Sequence, residues 1–278
     1  MTDGSITRNT MTLDDQRVSY LCSGEGSPIL LLHGTFWSRV WLAIIPKLAE
    51  SHEVFALDYP GFGRSEGRLE SEEATAPALA GFVLRAADAL GVEAPFAVAG
   101  HDIGGAVAQH VAVHGEGRVS RLALVNSVLY DSWPVPALEQ FRDEPEYARN
   151  IAPEELVEQR RQALREATAR ALSEAEEEDY LSPWRTEDGA RSWTAMAQAA
   201  DARYTEELVE PLIEMSLPTL LLWGEEDEFQ PIEYAQRLER EMPHARLVAV
   251  PGARHIPMED DSERTGRVLV DFLAGNPV

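Results

Sequence analysis

One stretch constrains what this chain can fold into more than any other: Phe96-Ala97-Val98-Ala99-Gly100-His101-Asp102-Ile103-Gly104-Gly105-Ala106-Val107-Ala108-Gln109-His110. A short apolar run ends at Gly100, glycines recur at once, and an Ala/Val-rich segment of helical character begins. The chain therefore passes from strand to helix through a very tight turn, with Asp102 at its tip. Such a turn is strained, and the positions flanking its tip must be small to avoid clashes. Gly100 and Gly104 are those flanks.

A carboxylate at the tip has chemical consequences. An aspartate is already ionised at neutral pH and displaces a leaving group from a saturated carbon, whereas a serine needs a base and attacks acyl carbons. Asp102 also suits two structural jobs: a turn residue that tolerates positive φ, or an N-cap for the helix beginning near Ile103.

A length of 278 residues allows one large domain with an insertion as well as two domains. The net charge of −24 disfavours nucleic acid and anionic membrane as partners and favours a neutral or cationic substrate over a polyanion. With Phe36, Trp37, Trp133, Trp184 and Trp193 suggesting an apolar pocket, the expected partner is a small, mainly apolar, neutral substrate. A monomer or homodimer is expected. The single cysteine, Cys22, excludes an internal disulfide and suits a reducing compartment; its alternating context, Val18 to Cys22, reads as a half-buried strand thiol. Met1 to Thr12 is polar and nothing approaches the ~20 apolar residues of a membrane span, so the expected location is cytoplasmic.

In chain order, Ile6 to Ser23 alternates around the turn-rich tetrad Leu13-Asp14-Asp15-Gln16 and predicts a hairpin. Ile29 to Leu32 is an uninterrupted apolar run of the kind buried on both faces in a parallel sheet, and it leads into His33-Gly34-Thr35. A helix carrying Val40, Ile44, Ile45 and Leu48 follows. Next come a strand at Val54 to Leu57, the Pro/Gly loop Asp58 to Ser65, a helix at Ala78 to Leu90, a strand at Phe96 to Ala99, a helix at Ile103 to His114 and a strand at Leu122 to Val125. Between Trp133 and about Pro211 strand signals vanish and the chain becomes helical and acidic. Alternation resumes at Pro218 to Trp223 and closes with a strand at Leu247 to Val250, the loop Pro251 to Pro257 and a helix at Ser262 to Leu273. The expected organisation is an α/β core in two parts, 1–133 and 212–278, with an all-helical insertion at 134–211; the central sheet is mostly parallel and flanked by helices.

Four separated signals agree in order: His33-Gly34 after a buried strand, the Asp58 to Ser65 loop, the turn at Asp102, and Gly224-Glu225-Glu226-Asp227 followed by Gly252-Ala253-Arg254-His255. On these the chain resembles the α/β-hydrolase fold superfamily. Gly-His-Asp-x-Gly-Gly is similar to the aspartate-nucleophile branch, the epoxide hydrolases and haloalkane dehalogenases. The resemblance implies that Asp102 attacks a saturated carbon and forms an ester, that His255 activates the water that hydrolyses it, and that Asp227 orients His255. It implies an oxyanion hole from the backbone N–H groups of Thr35 and Ile103, and the inserted helices as a cap. No metal or organic cofactor is expected, since the reacting groups are all side chains. The remaining histidines His52, His110, His114 and His244 are expected at the surface.

The leaving group divides the branch. Epoxide opening needs an acid for the developing alkoxide, a job the family gives to cap tyrosines; Tyr204 is the first candidate here and Tyr180 the second, and epoxide hydration is the favoured reading. A halide needs N–H donors. Ile103 supplies no side-chain donor after the nucleophile, but Trp37 keeps carbon–halogen cleavage open as the alternative. Arginines that fluoride-releasing relatives carry just after the aspartate are replaced by Ile103 and Ala106. Phe36, Trp37 and His33 complete the residues expected around the substrate. An alternative of another class is a ligand-binding member of the fold without catalysis.

Overall fold

A computed structural model describes residues 5–278. β1 (Thr7–Leu13) and β2 (Gln16–Ser23) form the expected hairpin, turning through Asp14 and Asp15 at φ of 50° and 61°. Two left-handed residues in succession match the twist of the strands they join, and aspartate is among the few residues that tolerate the conformation. β3 (Ser27–Leu32), β4 (His52–Leu57), β5 (Phe96–Asp102), β6 (Val119–Ser127), β7 (Thr219–Gly224) and β8 (Ala245–Val250) complete one eight-stranded sheet. Its order is β1-β2-β4-β3-β5-β6-β7-β8. The β1/β2 and β2/β4 pairs are antiparallel and the other five parallel.

The parallel part forms where the sequence is apolar without alternation. Ile29 to Leu32 on β3 and Leu220 to Trp223 on β7 are wholly removed from water, because helices cover both faces. At ~1.5–3 kcal/mol for each buried Leu or Ile side chain, these strands are the principal anchors of the core. On the core side the helices are α1 (Ile45–Leu48), α2 (Ala76–Leu90) and α3 (Ile103–His114). Between β6 and β7 the regular structure is helical throughout: α4 (Pro136–Asp143), α5 (Pro145–Asn150), α6 (Pro153–Ala167), α7 (Glu174–Leu181), α8 (Glu187–Gln198), α9 (Arg203–Glu206) and α10 (Val209–Glu214). α11 (Ile232–Glu241), α12 (Pro257–Asp260) and α13 (Ser262–Ala274) close the chain. No helix among the described residues is long and apolar enough to cross a membrane.

The structure differs from the sequence reading in local detail. The helix expected across Val40 to Leu48 is split into a 3₁₀ turn, Ser38–Trp41, and the single turn of α1. Pro46 sits in the first turn of α1, where its missing N–H costs nothing but prevents continuation from before. β5 runs on to Asp102 instead of ending at Ala99, so the aspartate is the last residue of the strand. α11 escapes the pattern because it buries only Ala235 and Leu238. His114 and His244 are exposed, but His52 and His110 are buried. His52 opens β4 with its Nδ1 2.9 Å from the Ser51 hydroxyl, and His110 lies on α3, which is buried on nearly every side. Burial pushes the His110 imidazole down to about 4.

Candidate active site

The turn at Asp102 is built by close backbone approach. Asp102 has φ 56° and ψ −128°, a conformation that costs an aspartate roughly 1–3 kcal/mol and persists only where the surroundings impose it. The imposition is visible at the glycines. A Cβ on Gly100 would lie 2.2 Å from the Gly104 carbonyl oxygen, and one on Gly104 would lie 2.5 Å from those of Leu32 and His33. Gly105 is equally constrained, since its Cβ would fall 1.8 Å from Oγ of Ser127.

Asp102 precedes α3 in the N-cap position, yet its side chain makes no capping hydrogen bond. Oδ2 instead accepts from the backbone N–H and the hydroxyl of Thr35, each at 2.8 Å. The carboxylate is aimed away from the helix it introduces. Ile103, whose N–H opens α3, lies beside Gly34; a Cβ on Gly34 would stand 2.7 Å from that nitrogen and 2.5 Å from Oδ2.

His255 follows β8 and Asp227 follows β7, so both arrive at the same end of the parallel strands as Asp102. His255 Nδ1 donates to Asp227 Oδ2 at 2.9 Å, and Nε2 points toward Asp102 Oδ1 at 4.0 Å. Asp227 Oδ2 also accepts from the Asn126 amide at 2.7 Å, and Oδ1 from the N–H groups of Phe229 and Gln230 at 2.8 and 3.1 Å. All three side chains are buried. Burial opposes charge on Asp227, but His255 and the amide donors outweigh it and hold its carboxyl below the ordinary carboxylate value. Burial likewise opposes charge on His255; Asp227 first and Asp102 second overcome that and raise its basicity. Beneath it, His101 Nε2 donates to the His255 carbonyl at 2.8 Å. Burial and the neighbouring His255 push the His101 ring down to about 4, so it holds the loop as a neutral donor.

Asp102 and His255 open into a cavity of about 290 Å³. Its wall is mostly apolar: Phe36, Ile103, Val128, Trp133, Leu138, Phe141, Trp193 and Phe229, with Thr35 at the Asp102 end. Thr35, Phe36 and Ile103, all named from the sequence, line this cavity. The other expected substrate residues are elsewhere. His33 is buried behind the turn, where Nε2 accepts from the Tyr59 N–H at 3.1 Å and Nδ1 contacts the Gly34 carbonyl at 3.0 Å. Trp37 spends its indole N–H on the Tyr180 carbonyl at 3.0 Å. Tyr180 directs its hydroxyl to Glu259 at 2.8 Å, and Tyr204 packs edge-on against His110. No tyrosine among the described residues lines the cavity.

Two charged residues in the wall, Arg160 and Glu166, have no counterpart in the sequence reading; Glu166 is exposed and Arg160 is buried. Arg160 of α6 is 8% exposed and its guanidinium lies 4.8, 5.5 and 4.7 Å from the ring centres of Phe36, Trp184 and Trp193. Nη2 is 3.5 Å from the Thr35 hydroxyl and Nε has no partner. Burial pulls its basicity down to about 10 against the pull of Asp102, so it remains a cation at neutral pH. A signal for it exists in the sequence: Leu156, Val157, Arg160 and Leu164 share one helical face, so the arginine falls within the apolar stripe of α6.

The profile of the Alpha/beta hydrolase family matches residues 29–268. The chain belongs to that family. Among relatives of this α/β hydrolase is the dihydrolipoyllysine-residue acetyltransferase component of the acetoin cleaving system of Cupriavidus necator, 30% identical over 95% of this chain and 68% of that protein. Haloalkane dehalogenase 2 of Mycobacterium tuberculosis is 29% identical over 92% of this chain and 91% of its own. Among solved structures, the epoxide hydrolase CorEH superposes with a TM-score of 0.85, covering 98% of this chain and 99% of that one at 23% identity, a likeness of fold.

Proposed function

We propose that this hydrolase breaks a bond between a saturated carbon and a leaving group by forming an ester on Asp102, with residues 134–211 as a cap on the core formed by 1–133 and 212–278. The observation that carries the reading is the setting of one carboxylate. Its Oδ2 is held by two Thr35 donors while Oδ1 faces the cavity with the Nε2 of His255 4.0 Å away. Oδ1 attacks carbon; Oδ2 becomes the ester carbonyl oxygen, already seated on donors that stabilise the oxyanion of the second step. Water between the ester and His255 gives its proton to Nε2 and attacks the carbonyl carbon, and Asp227 stabilises the imidazolium.

Halide is the better leaving group for this site. It departs as a weak base and needs only nearby positive charge or N–H donors, which Arg160 offers. An epoxide oxygen needs a proton, and the cap tyrosines expected to give one lie outside the cavity wall. The test is the His255→Asn variant incubated with 1-bromobutane or styrene oxide, followed by mass analysis of the peptide carrying Asp102. A butyl adduct on Asp102 with one bromide released per chain is expected. Faster labelling of the variant by styrene oxide, with diol formed from it by the unaltered protein, would return the assignment to epoxide hydration. No adduct on Asp102 from either compound would leave a ligand-binding protein.

A further inference from the structure

A departing halide needs no more than one N–H donor from Arg160, yet the residue brings a whole guanidinium fork into the buried wall. It lies in the middle of α6 with its side chain buried, and among the described residues no carboxylate makes an ion pair with it. The other buried arginine, Arg39, has its charge met by Glu259 at 2.7 Å and Asp179 at 3.1 Å. Removing a guanidinium from water is costly unless an anion meets it. Among the described residues the guanidinium stands over the faces of three aromatic rings and makes one long hydrogen bond, to Thr35, and Nε has no acceptor. The rings fix the plane of the fork and leave its polar edge without the bidentate partner that such an edge matches.

Resting on the Asp102 reading, we infer that Arg160 is the carboxylate-binding residue of the cavity and that the substrate is a short 2-halocarboxylate with an apolar tail. The geometry limits the spacing. A single Thr35 hydroxyl links the two ends, bonded to Asp102 Oδ2 at 2.8 Å and to Arg160 Nη2 at 3.5 Å. An anion on Arg160 therefore sits about one small group from the attacking oxygen, which suits a carboxylate on the reacting carbon itself. The tail points to the apolar wall of Val128, Leu138, Phe141 and Phe229. Arg160 also offsets the repulsion between the Asp102 carboxylate and an anionic substrate, and this reverses the preference for a neutral substrate that the overall charge suggests.

The reaction balances without a further reactant. Asp102 Oδ1 forms the carbon–oxygen bond as the carbon–halogen bond breaks and halide leaves with its electron pair. Water adds to the ester carbonyl, giving its proton to His255 Nε2; the acyl–oxygen bond then breaks and the alkoxide takes that proton. A 2-hydroxycarboxylate, halide and one proton result.

Two measurements test this. Bromide release from 2-bromobutanoate and from 1-bromobutane gives a ratio of kcat/KM values, expected to favour the acid in the unaltered protein. In Arg160→Gln that ratio falls by about 100-fold, the scale for unpairing a buried charge, with the loss mainly in KM; Arg160→Lys recovers part of it. Calorimetric binding of butanoate, which cannot react, is expected for the unaltered protein and for His255→Asn and is lost in Arg160→Gln. A ratio unchanged by Arg160→Gln, or no butanoate binding, overturns the carboxylate assignment while 1-bromobutane still labels Asp102 in His255→Asn. No label from either bromide removes the Asp102 reading and this inference with it.

Discussion

Asp102 Oδ1 and His255 Nε2 face each other across 4.0 Å, with no hydrogen bond between them. In a serine-based site the nucleophile must give its proton to the histidine and therefore touches it. A carboxylate has no proton to give. On the proposed reaction, this separation would leave Oδ1 free to meet carbon and room beside Nε2 for the water of the second step. The donors that do bind Asp102 come from Thr35 on the other oxygen.

Asp102→Asn follows directly. The amide keeps the shape and an oxygen for the Thr35 donors, but it is neither anionic nor nucleophilic. Halide release is expected to fall by at least about 10⁴-fold, in line with loss of a central group of a triad, while the thermal midpoint stays within a few degrees. Turnover within tenfold of the unaltered protein would place the nucleophile elsewhere.

The basicity of His255 gives a pH prediction with a definite sign. Burial lowers it, but Asp227 and then Asp102 raise it further, so in the free protein the ring loses its proton above the ordinary value of 6.5. Asp227→Asn should bring the NMR titration midpoint of His255 down by more than Asp102→Asn does. Esterification cancels the Asp102 charge, so the midpoint seen in ester hydrolysis must lie below that of the free protein, with the rate rising as pH increases through it. A rate that falls across the same range would exclude His255 as base.

The turn at Asp102 was legible because its constraints are local, and the order of the motifs placed Asp227 and His255 close to it. Glycines at 100 and 104 are dictated by contacts of 2.2 and 2.5 Å with backbone oxygens, and such a requirement shows in the residues themselves. The cavity wall was not legible in the same way. Tyr180 and Tyr204 lie in the expected helical segment, but a phenol's direction depends on how helices pack: Glu259, from the far end of the chain, captures the first, and His110 the second. Arg160 was hidden because a charged residue in an acidic helix reads as solvated unless its register with Leu156, Val157 and Leu164 is followed. Thr35 shows half of its role in sequence, the backbone N–H, while its hydroxyl bond needs the tertiary arrangement.

Removing the tyrosine hydroxyls separates catalysis from packing. Tyr180→Phe leaves the cavity wall intact and deprives the buried Glu259 of one donor, although Arg39 still bonds the same oxygen at 2.7 Å. Stability should drop by about 1–3 kcal/mol with kcat/KM for bromide release altered less than threefold. Tyr204→Phe should change neither. A loss of more than about 100-fold in either variant, with the fold intact, would return a tyrosine to the site as acid.

Gly34 offers the sharpest structural test of how Asp102 is aimed. It needs no left-handed backbone; its constraint is space, because a Cβ there would lie 2.5 Å from Asp102 Oδ2, 2.7 Å from its Cβ and 2.7 Å from the Ile103 nitrogen. None of these atoms is the end of a flexible chain, since Thr35 holds the oxygen and β5 and α3 hold the rest. Gly34→Ala should therefore displace the carboxylate by a fraction of an ångström to an ångström, lowering kcat by about 100-fold while destabilising by about 1–3 kcal/mol. Gly81→Ala is the control: within α2 its Cβ would meet only Arg85 Nη1, at 3.4 Å. There alanine should stabilise by about 0.5–1 kcal/mol and leave kcat alone. If Gly34→Ala kept full activity, Asp102 would not be held by the close approach of the two turns, and the aim of its carboxylate would have to come from Thr35 alone.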